Sequence, residues 1–319
     1  MDPVTHSPPP GMPRARIPGP QQPPPPFPRI AAGLWKRCLA GGLAAWTLIA
    51  VTAYATRGAA ALPALVLLGG FLVPVVFVLW AYERHSRDLG VSAILGCFLA
   101  GGALGVPAAT VTEPYLPRLS PGMFTAVALA EEAAKLGALA FALRRQPGIR
   151  GTRAGLVLGA AVGLGFAAPE GCGHAFGAAV AAGGADLRGM LETELLRGVV
   201  APVGQGLWTA IAGAALLSLR RPNGHFRLAA PVVGTCLGVS MLHALGDATH
   251  GAAIWLVALL SGTGLDAEPF AQGYPPGPGA VEQHLFMVFS VGGLVLAGLP
   301  GAAWARSLAH RDSSWRNTP

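Results

Sequence analysis

Residues 121–143 read PGMFTAVALAEEAAKLGALAFAL, an almost unbroken apolar run with Glu131, Glu132 and Lys135 at its centre. A helix needs about 20 such residues to cross a bilayer. Ionised side chains near the middle of a span each cost on the order of 2.5–3.5 kcal/mol when isolated. Three of them in one run therefore require neighbouring helices that supply partners. Seven more apolar runs surround this one, at roughly 34–56, 61–82, 91–111, 154–182, 197–219, 228–261 and 283–304. The chain is 52% hydrophobic and only 12% charged, with a mean hydropathy of +0.52, whereas water-soluble domains carry about 25% charge. The fold expected is all-α: a polytopic integral membrane protein with about eight transmembrane helices, crossing the cell membrane many times. The run at 154–182 holds Pro169 among glycines and is expected to kink or break. The long run at 228–261 is expected to cross by about residue 250 and continue as a re-entrant or interfacial piece.

Charge fixes the expected orientation. Of 22 basic residues, 17 fall in segments that are cytoplasmic if the N-terminus is inside, and four (Arg57, Arg118, Arg188 and Arg197) fall outside; Lys135 lies within a span. This asymmetry follows the positive-inside rule and places both termini in the cytoplasm. The net charge of +7 thus reflects arginines that meet anionic lipid rather than nucleic acid. Residues 1–29 hold 12 prolines and form a disordered cytoplasmic tail. A membrane-embedded domain follows at 30–305, then a cytoplasmic C-terminal tail at 306–319. The Ala, Gly and Arg bias points to a GC-rich bacterial source. Cys38, Cys97, Cys172 and Cys236 lie far apart, which suits neither a disulfide framework nor a zinc site; Cys172 reads as a buried thiol. The loop from about Gly262 to Gln283 is long for a helix hairpin and is a candidate gate for substrate entry.

Three polar clusters interrupt the apolar runs. In the first, Glu131 and Lys135 are four apart, with the acid on the N-terminal side, the favourable order for a helical ion pair. Glu132 points about 100° away and can face another partner. Adjacent carboxylates in a low dielectric disfavour double ionisation, which suits one of them to taking a proton from water. The second cluster is Phe166, Pro169, Glu170, Cys172 and His174; Glu170 and His174 are again four apart, a spacing that can ligate one metal ion. In the third, His243 lies one turn from Asp247, which can orient the imidazole. At 1.5 Å per residue, Glu132 lies about 18 Å above Arg144, His243 about 22 Å above Leu228 and Glu170 about 25 Å above Arg153. All three clusters fall in the outer half of the bilayer and can form one site.

EExxK, FxxxE and HxxxD, in that order on separate spans, resemble the motifs of the PrsW-type intramembrane proteases, relatives of the CAAX-protease and bacteriocin-processing superfamily. The likeness covers roughly residues 34–305. It implies hydrolysis of a peptide bond in a membrane-protein substrate, for example a single-pass anti-sigma factor, within or near the outer half of the bilayer. By that resemblance Glu131 or Glu132 is the general base, Lys135 its charge partner, and Glu170, His243 and Asp247 position the water, bind a metal or stabilise the oxyanion. Glu170, His243, Asp247 and His174 are the candidate ligands of a divalent metal such as zinc. Two positions depart from the family pattern: Gly171 stands where Asn is typical, and Gln205 stands where a His is frequent. Gln is a poor metal ligand but can hydrogen-bond an oxyanion. A proton-coupled transporter or channel, or a catalytically inactive partner-binding homologue, is the competing reading of the same buried charges.

Overall fold

The computed structural model describes residues 33–56, 59–107, 121–181, 187–262 and 280–314; the proline-rich tail and most of the 262–283 loop lie outside them. Every regular element among the described residues is helical: α1 (Leu34–Thr56), α2 (Leu62–Leu89), α3 (Val91–Ala100), α4 (Pro121–Leu143), α5 (Thr152–Ala181), α6 (Leu187–Ala201), α7 (Leu207–Ser218), α8 (Ala230–Ser261) and α9 (Ala280–Ser314). A π-turn at Gly101–Gly105 extends α3, and a second, Pro202–Gly206, joins α6 to α7 as one rod.

Six of these helices are long and apolar enough to cross a membrane: Leu34–Thr56, Leu62–His85, Thr152–Ala179, Leu187–Ser218, Ala230–Leu260 and His284–Arg311. The difference from the expected eight has two sources. The helix Val91–Gly105 is shorter than a full span, and α4 is 23 residues long but carries Glu131, Glu132 and Lys135. A break at Pro169 and a re-entrant end of the 228–261 run are both absent. Helix α5 continues through Pro169, and α8 is one continuous 32-residue helix with no re-entrant break. The rod that includes α6 also begins at Leu187, so Arg188 and Arg197, read as loop residues from the sequence, are helical.

Helix α5 is the axis of the bundle. In its apolar window 78% of residues are buried, against 11% in α1. A stripe of small residues explains how α5 takes that place. A Cβ added at Gly155, Gly159 or Gly163 would run into the backbone carbonyls of Gly213, Thr209 and Gln205 respectively. Three glycines at i, i+4 and i+8 therefore let the α6–α7 rod lie directly on α5, as small residues do at membrane helix interfaces. On the other side, Gly165 and Gly101 admit α3 just as closely, against the carbonyls of Phe98 and Val162. Ile94, Leu139, Leu143, Leu158 and Leu217 fill the core where α3, α4, α5 and α7 meet. The opposite surface of α8 presents Val233, Leu237, Met241 and Leu245, all exposed and spaced one turn apart. An apolar outer face of this kind is the surface that faces lipid in a helix bundle. Helix α1 is pinned to α6 by the Trp46 indole, whose Nε1 donates to Glu194 Oε2 at 2.6 Å.

Candidate active site

Helix α4 brings Glu131, Glu132 and Lys135 into the bundle because its polar turn faces inward while its flanks are apolar. Glu132 and Lys135 are both fully buried. The Lys135 ammonium has three N–H donors and uses all of them: Glu131 Oε2 at 3.1 Å, Glu132 Oε1 at 2.9 Å, and the side-chain oxygen of Gln205. The two carboxylates therefore share one cation, although their Cα positions are turned about 100° apart, because the lysine stem reaches both the i−3 and the i−4 acid. Phe166 of α5 supports the ammonium from below, with its ring centroid 4.2 Å from Nζ, a distance at which the ring face attracts a cation.

Glu132 is held on every side. Besides Lys135, it faces His243 Nδ1 across 3.2 Å through Oε1 and accepts from Thr209 Oγ1 at 3.1 Å through Oε2. An ionised Glu132 has no proton to give, so it fixes the imidazole in the tautomer that carries hydrogen on Nδ1. Nε2 lies 3.7 Å from Glu131 Oε2 and 3.5 Å from Asp247 Oδ2. The indole of Trp208 stacks on the imidazole, with centroids 4.6 Å apart and planes inclined by 26°, which restricts its rotation.

Glu170 joins the same network from α5. Its Oε2 accepts from Gln205 Nε2 at 3.1 Å, and its Oε1 accepts from Arg197 Nη2 at 2.5 Å. Gln205 is thus the bridge of the site: its oxygen accepts from Lys135, and its nitrogen donates to Glu170 and, at 3.4 Å, to Glu131. Its placement follows from Pro202, which lacks an N–H and opens the helix into the π-turn that carries Gln205. Thr209 lies one turn further on the same face. At the margins, the Asp247 side chain is 42% exposed and that of His174 is 52% exposed. His174 comes no nearer to Glu170 than 3.7 Å. Cys172 is outside the network, with its thiol donating to the Val66 carbonyl at 3.3 Å.

The profile described as "PrsW family intramembrane metalloprotease" matches residues 89–265, more than half of the 319-residue chain. The chain belongs to the PrsW family. No curated protein and no solved structure matches it significantly. As a PrsW family member it is a multi-pass membrane protein and a membrane-embedded peptidase. The matched residues span α3 to α8 and so include every side chain of the polar network.

The family description names a metal, and the side chains of this PrsW protein can be tested against one. Among the described residues, no group of three or more His, Cys, Asp or Glu side chains is arranged to hold a metal ion. The reason is chemical. The oxygens of Glu131, Glu132 and Glu170 that would serve as ligands already accept from Lys135, Gln205, Thr209 and Arg197. The ammonium stands where the carboxylates converge, and a divalent cation at that point would face a like charge. The four-ligand set expected from Glu170, His243, Asp247 and His174 divides instead into two pairs, Glu170 with His174 and His243 with Asp247. The residues present do not fit a metal site in this arrangement.

Sequence reasoning missed two members of the network. Arg197 reads from the sequence as an outer flank, because it stands at the edge of an apolar run. Thr209 is neutral and gives no signal as an isolated residue. The informative pattern is joint: Gln205 and Thr209 are polar at i and i+4 on the Pro202–Ser218 part of the rod, whose other buried residues are apolar or glycine.

Proposed function

We propose that the network around Lys135 is the peptidase active site and that it hydrolyses a membrane-protein substrate with water activated by Glu131. The observation that carries this reading is the difference between the two adjacent glutamates. Glu132 is fully buried and both of its oxygens are engaged. Glu131 keeps 10% of its side chain accessible and lies within 3.7 Å of His243 Nε2. Glu132 then orients, and Glu131 reacts.

In this mechanism water enters between Glu131 and His243 Nε2. Glu131 removes one proton as the water oxygen bonds to the carbonyl carbon of the scissile peptide. The oxygen of the tetrahedral intermediate takes its negative charge toward Gln205, whose long contact to Glu131 is the easiest in the network to exchange for a substrate oxygen. As the C–N bond breaks, Glu131 returns the proton to the leaving nitrogen. Lys135 holds both glutamates in place by donating to each of them, and Arg197 holds Glu170 so that Gln205 has a fixed second partner. Asp247 lies at the mouth and orients the outer side of the imidazole.

The substrate is a membrane protein, preferably a single-pass one, cut in the half of the bilayer remote from Arg150 and Arg153. Asp247 lies beyond His243 along α8, and His174 lies beyond Glu170 along α5, and both are the exposed members of their clusters. The site therefore opens away from the arginine-rich end. With that end in the cytoplasm, as the positive-inside rule demands, the mouth faces outward.

The test is cleavage of tagged single-pass membrane proteins by the purified chain in liposomes. Wild type should release two fragments, and the Glu131→Gln/Glu132→Gln variant should release none, even from the molecules that insert and fold. Normal cleavage by the double variant would refute the assignment. A chelator added in parallel should leave the wild-type rate unchanged; strong inhibition would show that a metal enters an arrangement of these side chains different from the one described here.

A further inference from the structure

A second site lies at the opposite end of the bundle. A cavity of about 240 Å³ opens where the end of α2 meets the turn between α4 and α5, and His85, Asp88, Arg150 and Arg153 contribute its charged and polar lining. Gly151, with φ of +99°, turns the chain into α5 between the two arginines, a conformation that favours glycine. Its N–H donates to the Leu217 carbonyl at 2.8 Å, which anchors the turn to the end of α7. The cavity thus has a fixed floor and two guanidinium groups at its rim.

Its charge is unbalanced. Arg153 Nη2 lies 3.4 Å from His85 Nδ1, so a guanidinium and an imidazole are neighbours. Asp88 lines the same cavity, yet no ion pair within 4 Å joins it to Arg150 or Arg153. The 30-residue helix α5 also begins here, adding the positive end of its dipole. Guanidinium forks match the oxygens of a phosphate group in pairs.

The level of the cavity identifies the source of the anion. The membrane-crossing segment Leu62–His85 ends at its rim, and the segment Thr152–Ala179 begins there. That is the depth of lipid headgroups, where basic pockets between helices take anionic phosphates. We propose that this cavity binds a phosphate anion presented by an anionic lipid headgroup, at a site separate from the peptidase centre. Bound there, the lipid ties α2 to the start of α5, the helix on which Phe166 and Glu170 are mounted.

The experiment is native mass spectrometry of the purified full chain released from phosphatidylcholine micelles doped with phosphatidic acid. Wild type should retain phosphatidic acid in preference to phosphatidylcholine. The Arg150→Gln/Arg153→Gln variant should bind it about thirtyfold more weakly, taking about 1 kcal/mol per arginine at a membrane surface. Asp88→Asn should bind it more tightly, by about fivefold on the same scale, a gain that misfolding cannot mimic. Arg144→Gln/Arg145→Gln, which changes basic residues outside the cavity, should bind as wild type does. Undiminished binding by the Arg150/Arg153 variant, or an equal loss in the Arg144/Arg145 variant, would overturn the proposal. Inorganic phosphate in undoped micelles separates the sources: lipid binding without phosphate binding supports a headgroup, phosphate binding without lipid binding overturns the lipid assignment, and binding of neither overturns the site.

Discussion

Lys135 and Arg220 are both buried cations seated on a phenylalanine ring, and their partners differ in kind. Arg220 is 4% exposed and rests over Phe226 at 4.3 Å. Its guanidinium donates to four backbone carbonyls, those of Leu143, Gln146, Ile149 and Gly224, at 2.8 to 2.9 Å. Lys135 rests on Phe166 in the same way but donates to two carboxylates and an amide. Carbonyls in a turn hold no proton that chemistry can use, so Arg220 rivets the end of α4 to the turn after α7. Carboxylates exchange protons, so the charge of Lys135 stabilises a group of reactive oxygens. A buried cation marks a functional site only when its partners can themselves react.

Four substitutions test this contrast, beginning with the largest effect. Lys135→Met leaves Glu131 and Glu132 adjacent, buried and without their shared cation, and breaking a buried pair in this way costs about 3–5 kcal/mol. Thermal unfolding should show that loss, and cleavage should fall below detection even in the molecules that fold; an active Lys135→Met protein would break the comparison at its centre. Arg220→Ala orphans four carbonyls and should destabilise the chain by about 3 kcal/mol, since each unsatisfied buried group costs about 1–3 kcal/mol and water reaches some of them at the bundle's end. Its cleavage rate per folded molecule should stay near that of wild type, and a specific loss of kcat there would show that the rivet also acts on the chemistry.

Thr209→Val removes one donor from Glu132 at nearly constant volume. It should lower stability by about 1–2 kcal/mol and reduce kcat, while Thr209→Ser restores both; unfolding and cleavage measured on the pair separate a positioning role from simple packing. Asp247→Asn, at the exposed margin, should change stability by less than about 0.5 kcal/mol. It should slow cleavage less than any substitution of Glu131, and an equal loss would move Asp247 from the mouth to the reacting centre.

Much of this was legible in the sequence, for a physical reason. Charges in apolar runs are so unfavourable that Glu131, Glu132, Lys135, Glu170 and Asp247 stand out against their neighbours, and helical spacing alone places Glu131 near Lys135 and His243 near Asp247. What spacing cannot give is which helix lies against which. Lys135 meets Gln205 because Gly155, Gly159 and Gly163 admit the α6–α7 rod, and that stripe gains meaning only once its partner is known. The π-turn at Pro202–Gly206 shifts the helical register, so an ideal periodicity misplaces Gln205. Arg197 was hidden at the edge of a hydrophobic run.

The most direct test of the central claim is cleavage in liposomes prepared in ¹⁸O-enriched water, with the new C-terminus analysed by mass spectrometry. Water activated by Glu131 places one ¹⁸O in that carboxylate in a single turnover. Wild type should show it, Glu131→Gln should yield no labelled product, and Arg220→Lys should label as wild type does. Labelled product formed at the wild-type rate by a folded Glu131→Gln protein would contradict the account.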